Sequence, residues 1–303
     1  MHQVIDLYLT VYFDFKPLTL NCLFFMDKEL FKTLGFSWDR EKVPKFIPEH
    51  SIEIVCFHQR RQMAQFIWDA GSLEGNPISY VETLTLLDGV SVGGHKLSDI
   101  DQLRNLAEST NLLLDLVKTG KYKMDRETCK LLNYTIAKDE ALDAGYFRGE
   151  GKPEYHQTQI KVTLSDLSEY NPIPTEKDGH KLIQVFEEGI KALENLPPFE
   201  RALAFFQFGT LQQFFFDGNK RTSRWMMNGV LMSNRINAIS VPALRKKEFM
   251  DNLMVLYQEK DGTSMFQFLV DCHVEKEQIL QMNKKDSRAK LSIAEPPKKG
   301  YSR

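Results

Sequence analysis

Gln212-Gln213-Phe214-Phe215-Phe216-Asp217-Gly218-Asn219-Lys220-Arg221-Thr222-Ser223-Arg224 is the stretch on which the fold reading turns. Pro197 and Pro198 open an apolar run, Phe199 to Gln212. In it Leu203, Phe206, Thr210 and Leu211 fall on one face at helical spacing, so a buried helix leads into the stretch. Asp217-Gly218-Asn219 then breaks the pattern. Gly218 and Asn219 tolerate positive φ, so successive backbone N–H groups can turn inward where the next helix, Arg221 to about Ser233, begins. That concavity suits a phosphate. Arg221 and Arg224, three apart, share the first turn of this helix, where two cations oppose the helix dipole and call for a polyanion. Asp217 beside them is a carboxylate of the kind that holds Mg²⁺ on a nucleotide.

These residues resemble the signature of the Fic family. It runs His, any residue, Phe, any residue, an acid, Gly, Asn, Gly or Lys, Arg, two residues and Arg. Here Phe215, Asp217, Gly218, Asn219, Lys220, Arg221 and Arg224 match it, and Gln213 stands at the His. The resemblance implies a mainly α fold, a helical bundle with a small β-hairpin flap. It also implies use of ATP and Mg²⁺ to transfer AMP to a hydroxyl side chain of another protein, the chemistry of an adenylyltransferase. Carried over, Asp217 holds the metal, Gly218, Asn219, Lys220 and Arg221 hold nucleotide phosphates, and Arg224 meets the γ-phosphate. Gln213 and Arg221 are then the candidate catalytic positions. The departure sits at the base: an amide neither takes up nor gives a proton near neutral pH, so a step worth about 10²–10⁴-fold is missing. Lys220, where adenylyltransferases mostly carry Gly, is the residue of the Doc branch, which resembles a kinase. Three readings stay open: an impaired or altered AMP transferase, a Doc-like phosphotransferase, and a non-catalytic nucleotide-binding regulatory module.

Two further segments gain meaning beside that signature. On spacing alone, Ser72-Leu73-Glu74-Gly75-Asn76-Pro77 reads as a turn ahead of a helix from Ser79 to Leu87. It also resembles the end of the family's self-inhibitory helix, which implies that Glu74 pairs with Arg224 in place of the γ-phosphate. The hydroxyl expected four residues before Glu74 is Ala70 here, and the longer run Leu73 to Leu87 also looks like that segment. Gly145-Tyr146-Phe147-Arg148 and Ile160-Lys161-Val162-Thr163 alternate around a polar loop and predict a β-hairpin. In the family this flap docks the target's backbone as an added strand, so residues 145–163 become the expected platform for a protein substrate offering a Ser, Thr or Tyr hydroxyl. His156 is the imidazole nearest that hairpin by sequence.

The rest of the chain sets boundaries. Its 303 residues, 42% hydrophobic and 26% charged, are those of a soluble globular protein, and a net charge of −2 gives no basic bias toward nucleic acid or membrane. Cys22, Cys56, Cys129 and Cys272 form no CxxC pair, which argues for reduced thiols and a cytoplasmic location. No signal peptide or membrane span is read. Gly89 to Lys96 has the wrong spacing for a phosphate-binding P-loop, and Leu97 stands where a Ser or Thr is needed. The reading divides the chain into an N-terminal accessory segment (1–48), carrying an early strand and a helix from Asp27 to Leu34, and a helical segment with the inhibitory helix (49–100). A Fic core (101–274) and a polar C-terminal tail (275–303) follow. Helices are expected from about Ser51 to Ala70, from a Ser98 cap onward, from Asp125 to Ile136, Gly179 to Leu193, Ala243 to Gln258 and Thr263 to Val274. The family's frequent dimers make a homodimer an expectation.

Overall fold

In the computed structural model, residues 20–294 are described. Two helices joined by the signature stretch, α8 (Pro198–Gln212) and α9 (Asn219–Ser233), form its centre. Both are buried almost all round. On α8 only Pro198 and Arg201 escape full burial, and on α9 only Lys220 and Ser233, so the single apolar face predicted for α8 understates its position. The two helices approach closely because Gly209 lies against Ser223, where a Cβ would overlap the serine hydroxyl.

Other helices wrap this pair. On one side stand α5 (Leu97–Lys118) and α6 (Arg126–Ala137), with α2 (Ile52–Arg61), α3 (Met63–Leu73) and α4 (Tyr80–Leu87) against α5. On the other are α7 (His180–Leu193), α10 (Lys246–Glu259) and α11 (Thr263–Ala294), while α1 (Leu20–Leu34) leans on α7. Local chemistry sets several starts: Ser51 accepts from the Ile54 N–H, Asp125 from the Thr128 N–H at 2.8 Å, and Ser79 and Glu82 form a capping box ahead of α4. No described helix is long and apolar enough to cross a membrane.

Several of the expected helix bounds change. The run from Ser51 to Ala70 is two helices, broken at Gln62, and the second continues through Gly71 to Leu73 because Gly71 lets α3 press onto Leu103 of α5. Ser98 does not cap α5, which begins at Leu97 with Lys96 as its N-cap. The last helix does not stop at Val274. It continues to Ala294, with Lys276 and Glu277 buried against Ala238 and Asn237, so no tail begins at 275. Helix α1 starts at Leu20 rather than Asp27, and the strand expected before it lies outside the described residues.

The hairpin exists with a different partner. Strand β1 (Val162–Thr163) pairs antiparallel with β2 (Glu169–Tyr170), Val162 opposite Tyr170. Gly145 to Arg148 is not a strand. Positive φ at Gly145 and Gly149 curls the segment, and Phe147 leaves the surface to stack on Phe214 at 5.1 Å and meet Phe186 at 5.2 Å. The apolar alternation there reports a buried turn, not a pleat.

Candidate active site

The signature stretch folds into a tight loop between two left-handed residues. Gln213 caps α8 at φ 53°, and Gly218 opens α9 at φ 74°. Asn219 staples the loop: its Oδ1 accepts from the Phe215 N–H at 2.9 Å, and its Nδ2 donates to the Phe215 carbonyl at 2.8 Å and to Gln213 Oε1 at 3.0 Å. From α6, Asn133 donates to the Asp217 carbonyl (3.0 Å) and to Thr222 Oγ1 (3.1 Å). Arg148 grips the other edge. Its backbone N–H donates to the Phe214 carbonyl at 2.9 Å, and its guanidinium donates to the carbonyls of Gln213 (2.7 Å) and Ile173 (2.8 Å) and to Thr175 Oγ1 (2.7 Å). Burial lowers the Arg148 pKa to about 10.

What this leaves is a cavity of about 470 Å³ between the start of α9, β1 and Tyr257 of α10. Glu74, Gln213, Asp217, Gly218, Asn219, Lys220 and Arg221 all border it. The backbone N–H groups of residues 219–221 find no acceptor among the described residues, so the first turn of α9 presents three free donors. Asp217 stands half exposed: its Oδ1 takes the Gly218 N–H and lies 3.3 Å from Arg221 Nη2, while its Oδ2 takes no hydrogen bond. Arg221 is buried and pairs with both oxygens of Glu140, at 2.6 and 2.9 Å. Burial pulls its pKa down, and the Glu140 hydrogen bond and the nearby carboxylates more than reverse this.

Glu74 closes one end of the cavity. As the C-cap of α3 it extends one oxygen to Arg224 Nη2 (3.0 Å) and the other to Lys220 Nζ (3.1 Å). Burial raises its pKa, but the charges of Lys220, Arg224 and Arg221 prevail, and its pKa lies below the usual 4.5. Arg224 does not border the cavity, while its partner Glu74 does. Burial lowers its pKa, with Glu74 opposing.

Gln213 is wired into the floor. Both amide protons are used, one to the Thr210 carbonyl at 2.7 Å and one to the Tyr257 hydroxyl at 3.0 Å, and Tyr257 donates in turn to Thr210 at 3.0 Å. Burial raises the Tyr257 pKa, so its hydroxyl stays protonated. His156 bonds to the Gly151 carbonyl at 3.1 Å and does not border the cavity, and no lining residue is a histidine.

The eight site residues read from the sequence therefore converge. Four others went unread: Glu140, Tyr257, Asn133 and the anchoring role of Arg148. Asn133 and Tyr257 sit inside ordinary helical patterns, and Glu140 follows α6 in a polar turn, so no spacing marked them.

No protein-family model matches this sequence, and no curated protein does either. Solved structures do. Fic-1 from C. elegans superposes with a TM-score of 0.62 at 16% identity, over 89% of this chain and 75% of that one. A Fic domain containing signaling protein from Bacteroides thetaiotaomicron gives 0.59 at 17% identity, over 83% and 93%. A Fic family protein from Desulfovibrio desulfuricans gives 0.60 at 14% identity, over 86% and 75%. This chain has the Fic fold, and at such identities the likeness speaks for the fold alone.

Proposed function

We propose that this chain binds ATP with Mg²⁺ at the start of α9. Transfer of AMP to a Ser, Thr or Tyr hydroxyl of another protein is, in this reading, impaired or altered by Gln213. The residues present fit such a ligand. Three free N–H donors, the left-handed Gly218 and the cations Lys220 and Arg221 suit phosphates. Mg²⁺ commonly binds through one or two carboxylates plus substrate phosphates. Asp217, with one oxygen free at the rim, is the carboxylate available. No group of three or more metal-ligating side chains stands among the described residues, so an all-protein metal cage does not compete with this assignment.

Bound ATP would supply an activated phosphoryl group and a leaving group. The chain's own residues then hold, orient and exclude. Gly218 and the free N–H groups bind, Asp217 holds the metal, and Arg221 is kept rigid by Glu140. The target protein's backbone lies along the short hairpin, which borders the same cavity through Val162 and Thr163. Glu74 is the brake, pairing with Arg224 where a terminal phosphate is expected.

The observation that carries the reading is the state of Gln213. Its amide neither takes up nor gives up a proton near neutral pH, and its two N–H donors are already committed to Thr210 and Tyr257. The same fact favours the second reading, a nucleotide-binding regulatory module without turnover. Incubating three proteins with α-labelled ATP, Mg²⁺ and a cell lysate separates them: the parent, Glu74→Gly, and Glu74→Gly with Gln213→His. Label on other proteins from Glu74→Gly means an enzyme that works without its histidine. Label from the double variant at about 10²–10⁴-fold the background level left by the parent and Glu74→Gly means an intact pocket whose chemistry left with the base. Calorimetry that finds no Mg²⁺-ATP binding to Glu74→Gly overturns both.

A further inference from the structure

We propose that Lys220 is a shared latch: the cation that holds Glu74 in the closed site is the one that a polyphosphate entering the cavity draws upon, so the anion itself loosens Glu74. The inference rests on reading the cavity as a nucleotide site. It extends that reading to how the site opens.

The two cations that hold Glu74 are unlike. Arg224 has a side chain 5% exposed, does not border the cavity, and is steadied by its Nε near the Lys220 carbonyl (3.4 Å) and by the Phe249 ring, whose centroid is 5.9 Å away. Lys220 is 29% exposed and borders the cavity together with Glu74. A cation on a long, partly exposed stem at this position can swing between two anions, whereas the Arg224 guanidinium, buried and fixed by its surroundings, cannot. Residues 219–221, whose backbone N–H groups find no acceptor among the described residues, border the same space, so an anion can settle beside Lys220 while Arg224 still holds Glu74. Once Lys220 turns to that anion, Glu74 Oε2 loses its partner, and the carboxylate is left half paired beside a second negative charge.

The segment that carries Glu74 has its own readout. The N–H groups of Glu74 and Asn76 both donate to the Gly71 carbonyl at 3.0 Å, and Lys246 Nζ holds the Ser72 carbonyl at 2.8 Å. Loosening of Glu74 therefore appears as faster amide exchange over residues 74–76.

Exchange there is to be measured on the full chain with and without pyrophosphate, with ionic strength matched by sodium chloride, for the parent, Lys220→Met and Lys220→Arg. The expected result is acceleration of about fivefold by pyrophosphate in the parent, the scale of one partly exposed ion pair, and the same response in Lys220→Arg. Lys220→Met starts accelerated and does not respond. Pyrophosphate acting equally on Lys220→Met, sodium chloride acting as well as pyrophosphate, or no response in the parent each overturns the latch. Mg²⁺-ATP binding to Glu74→Gly tests the underlying reading separately. If that binding fails while the pyrophosphate response persists, the latch stands and the nucleotide assignment falls.

Discussion

Arg148 and Arg224 bury their guanidinium groups to nearly the same depth, at 0% and 4% exposure, yet they are held in opposite ways. Arg148 donates to two backbone carbonyls and one threonine hydroxyl, all neutral and fixed by the local chain. Arg224 is held by one carboxylate from the far end of another helix, with a weak contact to its own helix besides. Partners of the first kind cannot leave without unfolding the loop. A carboxylate at the end of α3 can be exchanged for another anion at modest cost, because the exchange conserves charge. Burial alone therefore does not distinguish a frame residue from a site residue. The replaceability of its partner does.

The largest effect falls on the frame. Arg148→Met leaves the carbonyls of Gln213 and Ile173 without their donor in a dry interior and should cost about 3–5 kcal/mol of unfolding free energy, measured by urea denaturation. Arg148→Lys should recover less than half of it, since one ammonium cannot span three acceptors set in a fork. Arg224→Met should cost only about 1–2 kcal/mol, because Glu74 retains Lys220 and borders the cavity, yet it should abolish tight Mg²⁺-ATP binding in a Glu74→Gly background. Equal stability losses for the two arginines would break the distinction.

The same contrast explains what was legible. Contiguous chemistry was: Asp217 to Arg224 lie within two helical turns, and their fold, turn and cation spacing follow from local geometry. The pairing of Glu74 with Arg224 spans 150 residues and was reachable only through the resemblance, which supplied a partner that spacing could not. Glu140 and Tyr257 meet Arg221 and Gln213 across 81 and 44 residues, and neither carries a local mark. The first strand expected for the hairpin failed for a related reason, although the hairpin itself is present at β1 and β2. Alternation at Gly145 to Arg148 is the pattern of a strand, and it is equally the pattern of a glycine-bounded turn that sends Phe147 into an aromatic core and Arg148 into a polar one. Periodicity counts which residues turn inward, and it is blind to whether a strand or a turn does the turning.

Glu74 itself gives the smallest change and sharpens the comparison furthest, because its charge is the replaceable part. Glu74→Gln should lower stability by about 1 kcal/mol at neutral pH, since the amide still accepts from Arg224 while the two cations lose their counter-charge. The parent carboxyl has a folded-state pKa below the usual 4.5, set by Lys220, Arg224 and Arg221 against its burial. A carboxyl depressed in this way stabilises the fold at every pH above 4.5 and loses that contribution as the pH falls through its lower folded value. Parent and Glu74→Gln should therefore differ by a constant amount from about pH 6 to 8 and converge below 4.5, as read by urea midpoints across pH. If the parent instead gained on the variant as acid is added, Glu74 would be a carboxyl kept protonated by burial. It would then have no charge to give up to an incoming phosphate, and Arg224 would belong with Arg148 in the frame.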